Sequence, residues 1–267
     1  MRCMIFSCHA VVAEWQTRCL QAAVIFGRAG SSPANRTMYF LMDETLIEAV
    51  KQWNIDASLP LQVGDFTLIF SFEPDGKGEE TIFAYKNEKK GWTVRALYND
   101  GSGDFSVRVD IGMLEFSLIE FITDDFDAFR SMTEERLPAI IESHYVHAEK
   151  DFNVIMKQKG VPDGDWESLL PAKYAGFRRT VDPTCAVRII NGSYMVAAYY
   201  DGVTQSGLAV MYNFLRDDFF AERRVHNFPN LVHDFDSTSV DELRGALRER
   251  LCPVLDEIRD KAERKAL

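Results

Sequence analysis

Imidazoles and carboxylates gather at two places in this chain, and each spacing suggests a chemistry. In "SHYVHAEKD", His144 and His147 lie one helical turn apart, with Glu149 and Asp151 following. Imidazoles so placed can share a divalent metal with a carboxylate. His144, His147 and Glu149 are therefore the candidate ligands of a metal-dependent hydrolase. HxxH is a weak signal by itself, and His144 also falls on an apolar helical stripe. A structural pair near a helix C-terminus, favoured by the helix dipole, is the competing reading. In "RRVHNFPNLVHDFD", His226, His233, Asp234 and Asp236 could supply a general base with an orienting carboxylate. That stretch reads as a polar loop before the last helix, and no nucleophile accompanies it.

The familiar catalytic signatures are missing. No GxxxxGK[ST] follows a strand, no GxGxxG opens a helix, and GxSxG, HExxH and CxxC do not occur. "DGSGDFSVRVD" spaces its acids like a calcium loop but lacks the glycine and terminal carboxylate that such a loop needs, so it reads as a hairpin turn. No catalytic residue and no cofactor is expected. Aromatics are the other feature: Tyr194, Tyr199, Tyr200, Phe214, Phe219 and Phe220 exceed what one small sheet face requires. Tyr199, Tyr200, Phe219 and Phe220, beside Asp217 and Asp218, are the candidate acid-rimmed protein-binding patch, with core packing as the alternative.

What must position these groups is a globular chain. Its 267 residues are 46% hydrophobic and 27% charged, with a formal net charge of −11. Such acidity repels phosphates and anionic membrane surfaces, so nucleic acid and membrane are not expected partners. No run of eighteen apolar residues appears. Outside the first 37 residues only Cys185 and Cys252 remain, which points to a reducing, cytoplasmic setting and not to a disulfide framework.

Residues 43–53 carry Leu46, Ile47, Val50 and Trp53 on one helix face, with Asp43 as N-cap. "FTLIFSFE", "TIFAYKN", "WTVRALYND" and "FSVRVDI" alternate as strands, and "MLEFSLIEFI" looks extended too. From Asp124 the pattern turns helical, with Asp124 and Asp127 at the cap. After a polar, partly helical stretch from Lys150 to Tyr174 the order recurs. "CAVRIING", "SYMVAAYYDG" and "GLAVMYNFL" read as strands, with Asn191-Gly192 as a hairpin turn. A final helix carries Val240, Leu243, Leu247, Leu251, Val254 and Ile258 on one stripe.

The two long helices align without a gap. "FDAFRSMTEERLPAIIES" from Phe126 matches "VDELRGALRERLCPVLDE" from Val240, with Asp127/Asp241, Arg130/Arg244, Glu135/Glu249, Arg136/Arg250 and Leu137/Leu251 identical. Pro138 and Pro253 follow each ERL and should kink the helix or open a new segment. Thr238 with Asp241 repeats the capping pair, and the recurring Arg130/Arg244 and Glu135/Glu249 would bridge each helix to its sheet. The expected fold is α+β: two antiparallel meander-plus-long-helix units, a tandem duplication, with helices on one face of each sheet. The units would span 38–149 and 150–267.

The stretch before them, "VVAEWQTRCLQAAVIFGRAGSSPANRT", has no periodicity that would bury it. It resembles a transfer-RNA gene translated in frame. Gly30 to Pro33 is what a T-arm consensus encodes, and Val12 to Arg18 fits the D-arm of a leucine-type tRNA. Codons for Ala10-Val11 and Asn35-Arg36 can pair as an acceptor stem. The resemblance, over residues 10–37, implies a mis-assigned start in a bacterial gene, a spurious leader over 1–37, and a true start at Met38 or Met42. It also implies an insertion site of the kind mobile elements use. The remaining chain carries about −14 and reads as a non-enzymatic module, chaperone-like or immunity-like, whose partner is another protein. A metal-dependent hydrolase and an accessory protein of a mobile element are the alternatives.

Overall fold

Two runs of alternating apolar residues, each closed by an amphipathic helix, fold as two antiparallel meanders. A computed structural model describes residues 42–70, 72–74, 78–189 and 192–264. The tRNA-like stretch, Met38, and Asn191 of the expected hairpin turn lie outside those residues.

In the first half, α1 (Glu44–Gln52) and α2 (Ile55–Ser58) precede β1 (Gln62–Val63), β2 (Phe66–Phe70), β3 (Glu79–Asn87), β4 (Trp92–Asn99), β5 (Asp104–Asp110) and β6 (Glu115–Thr123). These strands pair in chain order as one sheet. α3 (Phe126–Ile141) follows. The second half opens with α4 (Val154–Gln158). Then come β7 (Lys173–Tyr174), β8 (Phe177–Val181), β9 (Val187–Ile189), β10 (Ser193–Asp201), β11 (Ser206–Asn213), β12 (Asp218–Val225), β13 (Phe228–Ser237) and α5 (Val240–Arg264). Its sheet runs β13-β12-β11-β10-β8-β7, with β9 also on β10. The protein is α+β. Among the described residues no helix is long and apolar enough to cross a membrane.

The halves repeat the same order at a fixed spacing. β3, β4, β5 and α3 each begin 114 residues before β10, β11, β12 and α5. Register breaks fall at matched positions as well. Between β3 and β4 the pairing skips Ile82, and between β10 and β11 it skips Val196. A larger bulge ends each meander, where Ile119–Ile122 in β6 and His233–Asp236 in β13 find no partners in β5 or β12. In each bulge a phenylalanine, Phe121 or Phe235, is fully buried, so the bulge turns an aromatic anchor into the core while re-aiming its neighbours.

Several side chains identical at this spacing perform identical tasks. The Tyr85 hydroxyl donates to the Pro60 carbonyl at 2.7 Å, and Tyr199 donates to Pro171 at 2.8 Å. Asn99 Oδ1 accepts from Gly101 N and Ser102 N, and Asn213 Oδ1 accepts from Leu215 N and Arg216 N. Tyr98 packs on Phe105 with ring centroids 5.0 Å apart, and Tyr212 on Phe219 at 4.8 Å.

The helix caps sit one residue beyond the positions the sequence indicates. Asp125, not Asp124, accepts from Ala128 N. Ser239, not Thr238, accepts from Glu242 N, while the Glu242 carboxylate turns back to Thr238 N, a capping-box arrangement. α5 runs through Pro253 to Arg264, whereas α3 passes Pro138 and gives way to a π turn over Glu142–Val146. Arg130 pairs with Asp127 on its own helix and Arg244 Nε is buried without a partner, so neither ties helix to sheet. Arg250 does so, through Asp234 of β13. The supposed polar loop "RRVHNFPNLVHDFD" is the β12–β13 hairpin, whose turn residues His226 and Asn227 both have positive φ, as a two-residue hairpin turn requires.

Helices cover one face of each sheet. α3 places Phe129 on Phe105 at 5.1 Å, and α5 buries Leu243, Leu247, Leu251, Val254, Leu255 and Ile258. The other face of the second sheet is covered as well, since every residue of β11 is buried. Met195, Ala198, Ala209, Val181 and Val187 join the hydrophobic cluster of the first half, with Ile111 and Met113. A Cβ on Gly207 would sit 2.7 Å from Met113 Sδ and 2.1 Å from the Tyr199 carbonyl oxygen, which is why glycine stands there. Arg178 of β8 donates to the carbonyls of Lys89 and Lys90 in the β3–β4 turn at 3.0 and 3.2 Å. The boundary near residue 150 divides the elements but not the core.

Candidate functional site

The HxxH pair does not form a helix face. α3 ends at Ile141, the π turn shifts the spacing through Val146, and His147 lies outside helical geometry at φ −114 and ψ 45. His144 Nδ1 pairs with Asp151 Oδ2 at 2.8 Å, while His147 Nδ1 pairs with Glu149 Oε1 at 3.2 Å. Each imidazole therefore faces its own carboxylate, and they do not converge. Among the described residues no group of three His, Cys, Asp or Glu is placed to hold a metal. His144, His147 and Glu149 are corrected from metal ligands to two local pairs that brace the segment joining the halves.

The second imidazole set is also divided. His226 sits in the β12–β13 turn, where its backbone N–H, not its ring, donates to Ser206 Oγ at 3.0 Å. His233 Nδ1 pairs with Asp236 Oδ2 at 2.7 Å, but the His233 side chain is 79% exposed. Asp234 is taken by Arg250. A base held by a carboxylate exists here, yet it stands in solvent on an outer strand, without the shielding that tunes such a pair.

The aromatic patch is corrected too. Tyr199 and Phe219 are buried, because they point from central strands under the α5 side of the sheet. Tyr200 is half-buried against Gly112 of the first half, and burial raises its hydroxyl pKa with help from Asp110. Phe220 lies beneath the Arg216 guanidinium at 4.9 Å. These four residues do not share a surface. A depression of about 420 Å³ lies nearby, lined by Ile155, Gln158, Lys159, Phe214 and Asp217. Its charges are already answered: Lys159 contacts Asp217 at 2.8 Å and the Thr238 carbonyl at 2.7 Å. The Lys159 ammonium, then the Tyr212 hydroxyl, hold the Asp217 carboxyl below its ordinary range.

The bulge that ends each meander is where the halves diverge. In β13 its residues are saturated, His233 by Asp236 and Asp234 by Arg250. At the matched stations of the first half stand Ile119, Ile122, Glu120 and Arg136. Ile119 is 67% exposed and Ile122 46%. Among the described residues no ion pair joins Glu120 to Arg136. Acidic residues surround this apolar pair along the chain: Glu115, Glu120, Asp124 and Asp125. The wider charge is just as uneven. Residues 38–149 hold nine Lys and Arg against 22 Asp and Glu, a net of −13, whereas residues 150–267 hold 17 against 18, a net of −1.

Sequence reading passed over this station although a signal existed. Leu118, Ile119, Phe121 and Ile122 put apolar side chains on both parities of one strand, and a strand with a single covered face must leave some of them outside.

No family model, curated protein or solved structure matches the chain.

Proposed function

We propose that this chain is a non-enzymatic, cytoplasmic protein-binding module, chaperone-like or immunity-like in character. It is built from a tandemly duplicated unit and docks a separate, positively charged protein on the bulged end of β6. The observation that carries the reading is the contrast between the two bulges. One scaffold is used twice, and the four bulge residues of the second copy supply the internal reference for those of the first. There, an imidazole–carboxylate pair and an ion pair to α5 satisfy every outward polar group. The first copy leaves two isoleucines exposed beside Glu120, for which no ion pair is found among the described residues. Apolar side chains flanked by one sign of charge are the makings of an interface core with a polar rim.

The net charge of −13 over residues 38–149 selects the partner's sign, since complementary fields raise association rates and reject like-charged surfaces. Duplication accounts for the constant spacing of elements and for the tasks shared by Tyr85 and Tyr199. It also explains why one copy could diverge at its surface while the other kept its packing.

The test uses the full chain and the natural partner, identified by co-purification and then titrated as a purified protein. Ile119→Asp/Ile122→Asp should weaken that partner's binding at least tenfold, with the unfolding temperature held within a few degrees. Leu231→Asp, at an exposed site on β13, should leave binding unchanged. Equal affinities for wild type and the isoleucine variant would reject the reading.

A further inference from the structure

We propose that the first half binds one calcium ion between the buried carboxylates of Glu80 and Asp100. The site is separate from the bulge of β6, and the inference does not depend on the protein-binding reading.

The repeat brings the site to light. Glu80 and Asp100 stand 114 residues before Tyr194 and Phe214. In the second half those two rings pack together at 6.2 Å, with Tyr194 fully buried. The backbone beneath is the same in both copies: Asp100 N donates to the Gly78 carbonyl at 2.8 Å, and Phe214 N donates to Gly192 at 2.9 Å. An aromatic pair in one copy is thus a pair of acids in the other. The acids have not moved out into solvent, because Glu80 is 6% exposed and Asp100 0%. Register puts both on one face of the first sheet. Glu80 lies opposite Tyr98, and Asp100, two residues beyond Tyr98, lies opposite Gly78; residues two apart in an extended chain share a face.

Asp100 has the chemistry of an incomplete ligand shell. Its Oδ2 accepts from Gly78 N at 3.2 Å, while Oδ1 is buried with no hydrogen-bond partner. A carboxylate withdrawn from water needs a countercharge, and among the described residues no Lys, Arg or His pairs with this one. Burial, then Asp100, Asp43 and Asp104, raise the pKa of the Tyr98 hydroxyl, so three carboxylates gather near one phenol. Asp43 and Asp104 are engaged locally, by Leu46 N and Ser102 Oγ, and deepen the negative field around Asp100. Complete burial of Asp100 excludes a lysine or arginine of a docked protein and admits a bare ion. Oxygen donors select a hard cation. Among the described residues no third His, Cys, Asp or Glu stands in coordinating position, so main-chain carbonyls and water complete the shell. Calcium's flexible geometry accepts such a mixed shell more readily than magnesium's strict octahedron. The "DGSGD" hairpin does not wrap the ion; it contributes only its first aspartate.

The full chain, stripped of metal with a chelator that is then removed, is titrated calorimetrically with calcium chloride at physiological salt, which screens binding driven by net charge alone. One ion per chain should bind, and saturating calcium should raise the unfolding temperature by about 5 °C or more over chelator. Magnesium should bind at least tenfold more weakly. Asp100→Asn and Glu80→Gln should each lower calcium affinity at least tenfold, whereas Asp163→Asn, at an exposed acid of the second half, should stay within twofold of wild type. Glu80→Tyr/Asp100→Phe writes the second copy's aromatic pair into the first. It should abolish the calcium response and unfold in chelator at or above the wild-type temperature. Absence of calcium binding by the wild-type chain, or an Asp100→Asn affinity within twofold of wild type, would overturn the site. Equal affinities for calcium and magnesium would overturn the choice of ion.

Discussion

Tyr85 and Tyr199 lie 114 residues apart and hold equivalent proline carbonyls, and the pairs Asn99/Asn213 and Tyr98/Tyr212 repeat this economy. Recurrence therefore marks scaffold, and divergence marks surface. Asp110 is an informative exception at the seam between the halves. Burial raises its carboxyl pKa, and Glu115 adds to that, against the opposing pull of the Gly112 N–H, Arg95 and Arg224. A carboxyl whose folded pKa exceeds its unfolded value, near 3.9, penalises the folded state once it ionises. The penalty is full above the folded pKa and gone below the unfolded one. Asp110→Asn keeps an oxygen to accept the Gly112 N–H at 2.7 Å. It should therefore raise the unfolding temperature at pH 7, and the advantage over wild type should vanish as the pH falls to about 3, below the unfolded pKa. Equal unfolding temperatures at both pH values would contradict the assignment.

At the scale of elements, the helices and the strands of the first meander were legible because their apolar residues repeat at 3.6 or 2. Leu243, Leu247, Leu251, Val254 and Ile258 are all buried as the stripe on α5 required. The β12–β13 hairpin was not legible. Glu222, Arg223 and Arg224 interrupt its alternation, and only contacts far along the chain explain them, such as Arg223 with Glu257 of α5 at 3.0 Å. Pro229 hid the start of β13, where an outer strand tolerates it. The metal site failed for a related reason: whether HxxH makes one face depends on where the helix stops, and the π turn after Pro138 is not written in the spacing of the histidines. Close approach between elements was equally invisible. Gly207→Ala would drive a methyl into Met113 and the Tyr199 carbonyl, so it should cost about 1–3 kcal/mol, read as a drop in the denaturant midpoint. A neutral outcome would mean that β11 does not lie this close to the β5–β6 turn.

For the whole molecule, the shared cluster of Met195, Ala198 and Ala209 with Ile111 and Met113 makes the two halves one cooperative body despite their repeated architecture. Calorimetry of the full chain should show a single transition, with calorimetric and van't Hoff enthalpies in agreement. Two separate transitions would mean that each half is stable alone. Residues 150–267 expressed by themselves should expose that apolar face and bind a hydrophobic dye, which the full chain should not. The sequence could announce two units, because each carries its own periodicity. It could not announce their union, because Met113 and Gly207 belong to no local pattern.

That union imposes an order in time. Ile111 and Met113 leave the ribosome roughly a hundred residues ahead of Ala209, which at about 5–20 residues per second is an interval on the order of 5–20 s. Throughout synthesis of β7 to β10, the nascent first half displays a greasy turn with nothing yet made to receive it, so the newborn chain is stickier than the finished protein.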